Sequence, residues 1–295
     1  MKILIPSLLS FLFVSTVAHS NNSQWVEWII DAEASYALTN NLNYSAFDND
    51  EREDYKFNIT GVFGRFYQLN SQTRLHALVE LNAQKYQDFD LLNSISTAAD
   101  IGIRYKFGVG HNIPYLQLKM KYQSTSVESS RWDNDLLQTS IELGKHFSDS
   151  FSVAGNFEFN SKDGVPWTAI VPELSNQVFD QNYWRASIFA DYIIEENWLV
   201  SLSYTRRDGD FASACTAENI EKVWLTEQVK AITSDDVFGG CIYRLDGTSN
   251  SYSSSLSFAV NNHSAIHLFY EINQGQAKTL RYQSTHLQLS YNYRY

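Results

Sequence analysis

Proline, cysteine and long apolar runs are scarce in this chain of 295 residues. Beyond the N-terminal segment, no stretch approaches the roughly twenty consecutive apolar residues of a membrane-spanning helix, which excludes an α-helical membrane protein. The chain has only four prolines. Because proline removes a hydrogen bond from a β-ladder, this scarcity is compatible with long strands. A formal net charge of −11 argues against a nucleic-acid-binding protein. The sequence also lacks a glycine-rich phosphate loop and a Cys-x-x-Cys pair.

The N-terminus predicts a cleaved secretory signal peptide over residues 1–20. Lys2 supplies the positive charge that such peptides carry, and the apolar stretch after it is too short for a spanning helix. Small residues at the end of this segment predict cleavage after residue 20, with cleavage after Ala18 as the alternative. An uncleaved anchor helix is the other interpretation. Residues 21–295 then form the mature protein, which has no cysteine near the cut for a lipid anchor.

Aromatic residues, in contrast, make up 15% of the chain. From His286 to Tyr295, polar and apolar residues alternate strictly, which is typical of a strand with one polar and one apolar face. The same alternation recurs along the chain and predicts an all-β fold, an antiparallel transmembrane β-barrel of about 12 strands in up-and-down order. The predicted strands lie at 25–38, 55–68, 74–86, 96–107, 113–124, 136–147, 151–161, 183–193, 198–207, 250–260, 265–273 and 283–295.

The connections between the predicted strands alternate in length. Short links such as 69–73 and 148–150 follow the even-numbered strands. Outer-membrane barrels have short periplasmic turns and longer external loops, an asymmetry that a soluble sandwich does not need. The even strand count therefore predicts that both termini are periplasmic. The longer links, which follow the odd-numbered strands, are 39–54, 87–95, 125–135, 162–182, 208–249 and 274–282.

The last strand resembles the C-terminal strand of Gram-negative outer-membrane proteins, which ends on an aromatic residue with alternating apolar residues before it. Leu289, Tyr291, Tyr293 and Tyr295 occupy those positions here. The resemblance implies a location in the bacterial outer membrane and delivery to the outer-membrane assembly machinery through this strand. Outer-membrane lipid and lipopolysaccharide would then be its surroundings. Neither the resemblance nor the sequence predicts a cofactor or a metal.

Strand parity separates a lipid-facing side from a lumen. Because lipid must meet the apolar face, the charged face is predicted to enclose a wet interior. Eight charges of each sign disfavour a strongly anion- or cation-selective pore. Turn geometry places Asp100 near Lys119 or Lys121, so pairing is expected; the local basic group is either paired or a solute-attracting patch. The predicted pore-lining residues are Asp31, Glu33, Lys56, Glu80, Asp100, Arg104, Lys106, Lys119, Lys121, Glu142, Glu158, Arg185, Asp191, Arg207, Glu271 and Arg294.

One position breaks the parity of the second predicted strand. Arg65 sits among apolar residues between Gly61 and Phe66, which predicts a β-bulge there. Aromatic residues at strand ends, among them Trp25 and Trp28, predict girdles at the membrane interfaces.

The long loop 208–249 contains both cysteines. A secreted chain with two cysteines predicts a disulfide between Cys215 and Cys241, worth roughly 3 kcal/mol by loop entropy. Metal ligation is the alternative, and no histidine spacing supports it. Residues 217–232 contain good helix formers with apolar residues near one face. The stapled loop is therefore predicted either to cap or narrow the mouth of the barrel, or to lie on its surface.

The loop 39–54 is rich in carboxylates. Their spacing does not match a calcium-binding EF-hand, so a solvated acidic loop is favoured over a rim site for a divalent cation. The acidic residues are Asp48, Asp50, Glu51, Glu53 and Asp54.

Three functions are open from the sequence. The favoured one is a channel that passes small hydrophilic solutes and is gated or narrowed by loop 208–249. The second is a closed barrel that serves as a structural platform, a surface receptor or an export partner. The third, an outer-membrane lipase or protease, has little support: His263-Ser264 falls in a short turn, and Asp208 and Asp210 have no histidine partner. No catalytic residue is predicted.

Overall fold

Thirteen antiparallel strands dominate the structure, a computed structural model that describes residues 24–167, 173–226 and 229–295. The predicted signal peptide lies outside these residues. One short helix, α1, covers Ile220–Thr226. The strands are β1 Gln24–Thr39, β2 Asp54–Gln68, β3 Thr73–Tyr86, β4 Ser94–Lys106, β5 Tyr115–Val127, β6 Asn134–His146, β7 Phe151–Gly164, β8 Gln181–Glu195, β9 Trp198–Cys215, β10 Ala231–Asp235, β11 Gly240–Asn261, β12 Ser264–Ala277 and β13 Leu280–Arg294.

Twelve of these strands close into a barrel. Successive strands pair from β1 to β9, then β9 pairs with β11, and β13 returns to β1 with Asp31 opposite Arg294. Strand β10 stands outside this ring and pairs with the first residues of β11. The predicted antiparallel barrel of twelve strands is therefore confirmed. Closure leaves no unpaired sheet edge, which is the condition for crossing lipid with strands.

The exposed apolar side chains lie on the outer face of the barrel. Leu81, Ile101, Leu202 and Leu289 are each more than half exposed, and their neighbours along each strand are polar and more buried. An apolar belt of this kind is stable when lipid surrounds it. No helix among the described residues is long and apolar enough to cross a membrane.

The links differ from the predicted ones at one end of the barrel. The prediction of a long loop at 274–282 is wrong: β12 runs to Ala277 and β13 begins at Leu280, so only two residues connect them. Loop 208–249 is shorter than predicted, because β9 extends to Cys215 and β11 begins at Gly240. The longest links are 40–53, 165–180 and the segment 216–239, all at this end, which we call the long-loop end. The other end, the short-turn end, carries both ends of the described chain.

The predicted bulge in β2 is also wrong. Strand β2 pairs with β3 without interruption from Lys56 to Gln68. The register instead shifts on β1, between Trp25 and Trp28, opposite Arg65. The parity of β2 is therefore unbroken, and Arg65 occupies a position on the outer, lipid-facing side.

Candidate functional site

All sixteen predicted pore-lining residues lie on the inner face, opposite the exposed apolar side chains. On the wall formed by β3 to β8, most of them form ion pairs. Lys121 donates to Glu80 at 2.8 Å, which joins β5 to β3 across β4. Arg104 and Lys119 both approach Glu142, at 3.9 Å each. Three of the four cations in the basic group predicted from sequence thus approach carboxylates on neighbouring strands, and Lys106, in the described part of the chain, does not.

Glu158 is the centre of the densest cluster on this paired wall. Its side chain is 8% exposed, and Arg185 donates to Oε1 with contacts of 2.5–2.7 Å. Asn160 also donates to Oε1 at 2.7 Å, and Gln138 donates to Oε2. These donors hold the carboxylate in one orientation, which stiffens the wall.

The expected pairing of Asp100 with a lysine is wrong. Asp100 accepts a hydrogen bond from His76 Nε2 at 2.5 Å instead, although Lys121 lies opposite it in the β4–β5 ladder. Gly102 makes this contact fit, because a Cβ there would lie 2.3 Å from His76 Cε1. The histidine leans over the glycine that faces it on β4, and Lys121 turns to Glu80.

The remaining predicted lumen residues are less uniformly paired. Arg294 forms a two-pronged ion pair with Asp31 at 2.8 and 2.9 Å. Glu33 accepts from Gln288, and Asp191 accepts from Ser152. The Arg207 guanidinium lies over the Tyr183 ring at 3.9 Å and donates to the backbone oxygen of Asp210. Within the described chain, Lys56, Lys106 and Glu271 make no ion pair.

A second wall of the lumen, which the sequence analysis missed, is built from serine. Five serines alternate along β11 and all face inward: Ser249, Ser251, Ser253, Ser255 and Ser257. Ser253 hydrogen-bonds Ser203 on β9 at 2.6 Å, and Ser187 bonds Thr205 at 2.8 Å. The period-two spacing of these serines was the signal available in the sequence. Small hydroxyl side chains leave more free width on this serine wall than arginine or lysine leaves on the paired wall.

A cavity of about 540 Å³ opens at the short-turn end, lined by residues of β1, β2, β11, β12 and β13 and by the turn between β11 and β12. Asp31, Glu33, Thr60, Asn292 and Arg294 contribute to its lining.

The long-loop end is spanned by a hairpin, which we call the cross-mouth hairpin. It consists of Ala231–Arg244, that is, β10, the turn 236–239 and the start of β11. In the twelve-stranded ring, β4 is the sixth strand after β11, so it lies directly opposite β11 across the mouth. The hairpin tip contacts the links on both sides of β4. Its contacts therefore cross the opening from one side of the barrel to the other.

Three contacts hold the hairpin tip. Phe238 packs on Phe89 of the β3–β4 link at 5.0 Å between ring centroids. It also meets Trp132 of the β5–β6 link edge-on at 5.9 Å. Ser129, also in the β5–β6 link, donates to Asp236 at 3.3 Å. We call this set of contacts the latch. Two aromatic contacts and one hydrogen bond thus join the hairpin tip to the β3–β4 and β5–β6 links.

The inner side of the hairpin packs on an aromatic cluster in the mouth. Tyr44 of loop 40–53 stacks on Tyr282 at 5.2 Å, and Phe211 meets Tyr282 edge-on at 4.9 Å. Tyr243 is fully buried, and its hydroxyl lies 3.3 Å from that of Tyr282. Gly275 admits Tyr44, because a Cβ there would lie 2.3 Å from the Tyr44 hydroxyl oxygen. Burial raises the pKa of the Tyr44 hydroxyl, so it stays neutral at physiological pH.

The helix predicted over 217–232 is only partly correct. Helix α1 ends at Thr226, and Ile232 belongs to β10. The apolar residues nevertheless reach one core: Val223 and Ile232 are both fully buried in the cluster that includes Cys215, Cys241 and Tyr243. The predicted disulfide between Cys215 and Cys241 is present, and the two cysteines face each other in the β9–β11 ladder.

The acidic loop 39–54 was expected to be solvated, but two of its carboxylates are buried. Asp50 is 1% exposed and accepts from the Thr216 backbone N–H and from Asn219, which ties loop 40–53 to the segment before α1. Asp54 is 3% exposed and accepts backbone N–H groups of Tyr55 and Phe89. These carboxylates act as acceptors for neighbouring loops. Within the described residues, no group of three or more histidine, cysteine or acidic side chains is placed to hold a metal ion.

The candidate enzyme residues have structural partners. His263 Nδ1 lies 3.0 Å from the backbone oxygen of Arg294, in the turn between β11 and β12. Lys230 donates to Asp210 at 2.7 Å and to Asp246 at 2.5 Å, which fixes the base of the cross-mouth hairpin. Asp31 and Ser264 line the same cavity as His263, but the Asp31 carboxylate pairs with Arg294.

Comparison with known proteins supports the fold. An outer membrane channel from Pseudomonas putida F1 is 10% identical, with a TM-score of 0.51 over 94% of this chain and all of that chain. The NanC porin is 7% identical, with a TM-score of 0.49 over 90% of this chain and 98% of that chain. The β domain of the Bordetella autotransporter BrkA is 10% identical, with a TM-score of 0.45 over 91% of this chain and all of that chain. No protein-family model and no curated sequence matches. The chain has the fold of outer-membrane β-barrels.

Proposed function

We propose that this protein is an outer-membrane channel for small hydrophilic solutes and that the cross-mouth hairpin gates its outer opening. The short turns and both termini would lie on the periplasmic side. One observation supports the proposal: a hairpin from β11 reaches the links beside β4, directly across the mouth, while a cavity opens at the opposite end of the barrel.

The proposed path follows the serine wall. The sixteen charged residues line the lumen, but most of those on β3 to β8 are engaged with each other and project into it as bulky pairs. Hydroxyl groups of β9 and β11 replace water around an uncharged or weakly charged solute without attracting one sign of ion. The balanced charge predicts weak ion selectivity. Solutes rich in hydroxyl or amide groups suit this lining best.

The proposal assigns no catalytic residue, cofactor or metal to the chain. Its partners would be the solute, outer-membrane lipid, lipopolysaccharide around the outer rim, and the assembly machinery that receives β13. The exposed aromatic side chains of Tyr291 and Tyr293 on that strand, and of Tyr295 directly after it, support the last of these partners.

Single-channel recording of the refolded mature protein in a planar bilayer tests this function. Discrete conductance steps with weak ion selectivity are the expected result. Reductant should raise the fraction of time spent open, because loss of the Cys215–Cys241 disulfide frees the part of the hairpin next to its turn from the end of β9. A correctly folded, heat-modifiable barrel that gives no steps, with or without reductant, would contradict the channel.

A closed platform is the second candidate, and one observation favours it. The segment above the mouth has two hydrophobic cores, one around Tyr243 and one around Phe179 and Ile242, more than a mobile plug needs. A platform would stay silent in the bilayer even after the latch is removed. Recording from a latch variant therefore separates the two functions.

A further inference from the structure

Arg65 is a charged residue on the lipid-facing side of the barrel. It shares the outer face of β2 with Tyr55, Phe57, Ile59 and Phe63, all of which are exposed. It lies three residues before the end of β2, at the short-turn end. A cation facing lipid is costly, so it needs a partner at the membrane interface.

Two tryptophans cage the guanidinium of Arg65. Its central carbon lies 4.6 Å from the centroid of the Trp28 ring and 5.1 Å from that of Trp25. The register shift on β1 between these tryptophans turns both toward the arginine. Arg65 Nε donates to the Val26 backbone oxygen at 3.2 Å. The backbone bond and the two rings orient the guanidinium, and among the described side chains its terminal amino groups make no hydrogen bond or ion pair.

An apolar groove of about 980 Å³ runs beside this cage, across the outer face of β3, β4 and β5. Arg65, Trp25 and Tyr67 line its β2 side, and its floor is formed by Leu75, Ala77, Ile101, Ile103, Leu118 and Met120. Strand order thus places a fixed cation at one edge of an apolar channel in the membrane-facing wall.

We propose that this groove is a binding site for one phospholipid, with the lipid phosphate on Arg65 and an acyl chain along β3 to β5. A guanidinium presents two parallel N–H donors that match a phosphate, and tryptophans are favoured at the level of lipid headgroups. The site rests on the proposed orientation, which places the short-turn end in the periplasmic leaflet. It does not depend on whether the barrel conducts.

Native mass spectrometry of the delipidated, detergent-purified protein tests the site. The probes are phosphatidylglycerol and a diacylglycerol with the same chains, which lacks the phosphate. We expect one retained phosphatidylglycerol, bound about tenfold more tightly than the diacylglycerol, in keeping with a charge-assisted hydrogen bond. Arg65→Gln should remove this preference and leave diacylglycerol binding unchanged. Arg206→Gln is the matched control, because Arg206 is an exposed outer-face arginine on β9 without an aromatic cage.

Several results would overturn the proposal. One is equal retention of the two lipids by the wild-type protein, which needs no variant and decides the matter even if Arg65→Gln fails to fold. Another is an equal loss of phosphatidylglycerol in the Arg65 and Arg206 variants. A third is a lipid-free dimer of the wild-type protein that dissociates on Arg65→Gln, because a second copy would then cover the groove. Conductance measured on the same Arg65 variant keeps a failure of this site distinguishable from a failure of the channel.

Discussion

Removing the aromatic part of the latch should open the mouth. Phe238→Ala deletes the ring that contacts both Phe89 and Trp132. Each aromatic contact contributes about 1 kcal/mol, and burial of part of the ring adds about 1 kcal/mol more. A loss of about 2–3 kcal/mol multiplies the open-to-closed ratio by roughly 30 to 150. A mouth that is open about 1% of the time would then be open for roughly 20% to 60% of it.

Single-channel recording measures this change as open probability. The conductance of each open channel should stay at its wild-type value, because Phe238 lies outside the lumen wall. Phe159→Ala is the matched control: Phe159 is an exposed aromatic residue on the outer face of β7, so its loss should leave gating unchanged. An unchanged open probability in a folded Phe238→Ala barrel would refute the latch. An equal rise in both variants would also refute it, because the effect would then come from the barrel as a whole.

Three further predictions concern the two walls and the hairpin turn. Ser253→Phe should lower the conductance of the open channel because the larger side chain narrows the lumen beside the serine wall. Ser254→Phe, one residue away on the outer face, should leave the conductance unchanged. Glu158→Gln should lower the free energy of unfolding by about 1–2 kcal/mol in a urea titration, since the partly exposed Arg185 loses its charged partner; an unchanged midpoint would contradict this. Burial raises the pKa of Asp235 above its ordinary 3.8. The folded turn thus favours the protonated acid, and the hairpin loses stability as the pH rises from 3.8 through that raised pKa. Open probability should therefore be lower at acid pH than at neutral pH, and Asp235→Asn should abolish the difference.

Parity predicted the barrel well because it reflects backbone geometry. Successive side chains of a strand point to opposite faces, so lipid on one side leaves an alternating record in the sequence. The alternation of polar and apolar residues is lost where the strands extend beyond the membrane. Around Ser249 and Asn250 both faces are polar, and the outer part of β11 was therefore predicted as loop. The same loss of signal hid the ends of β9 and β12.

The side-chain partners in the lumen were less predictable. Register fixes which residues face each other, but long side chains reach diagonal neighbours. Lys121 faces Asp100 in the ladder and yet bonds Glu80 two strands away. A glycine opposite a histidine, Gly102 facing His76, was the one local sign that the histidine would lean across to Asp100.

The latch had no signal in the sequence at all. Phe89 and Phe238 are almost 150 residues apart, and each looks like an ordinary loop aromatic. Ile232 fits the helical face of α1 equally well, so periodicity alone could not separate β10 from the helix. Tertiary packing across the mouth determines both the latch contacts and the assignment of Ile232 to β10.

The most direct test of the gated channel is to lock the cross-mouth hairpin. Cysteines at Ser129→Cys and Asp236→Cys, whose native side chains are 3.3 Å apart, can be joined by a short thiol cross-linker. The buried Cys215–Cys241 pair is already oxidised and should not react. We expect discrete channel openings before cross-linking and none after it. Openings that continue at the same frequency and conductance in the fully cross-linked protein would contradict a gate formed by this hairpin.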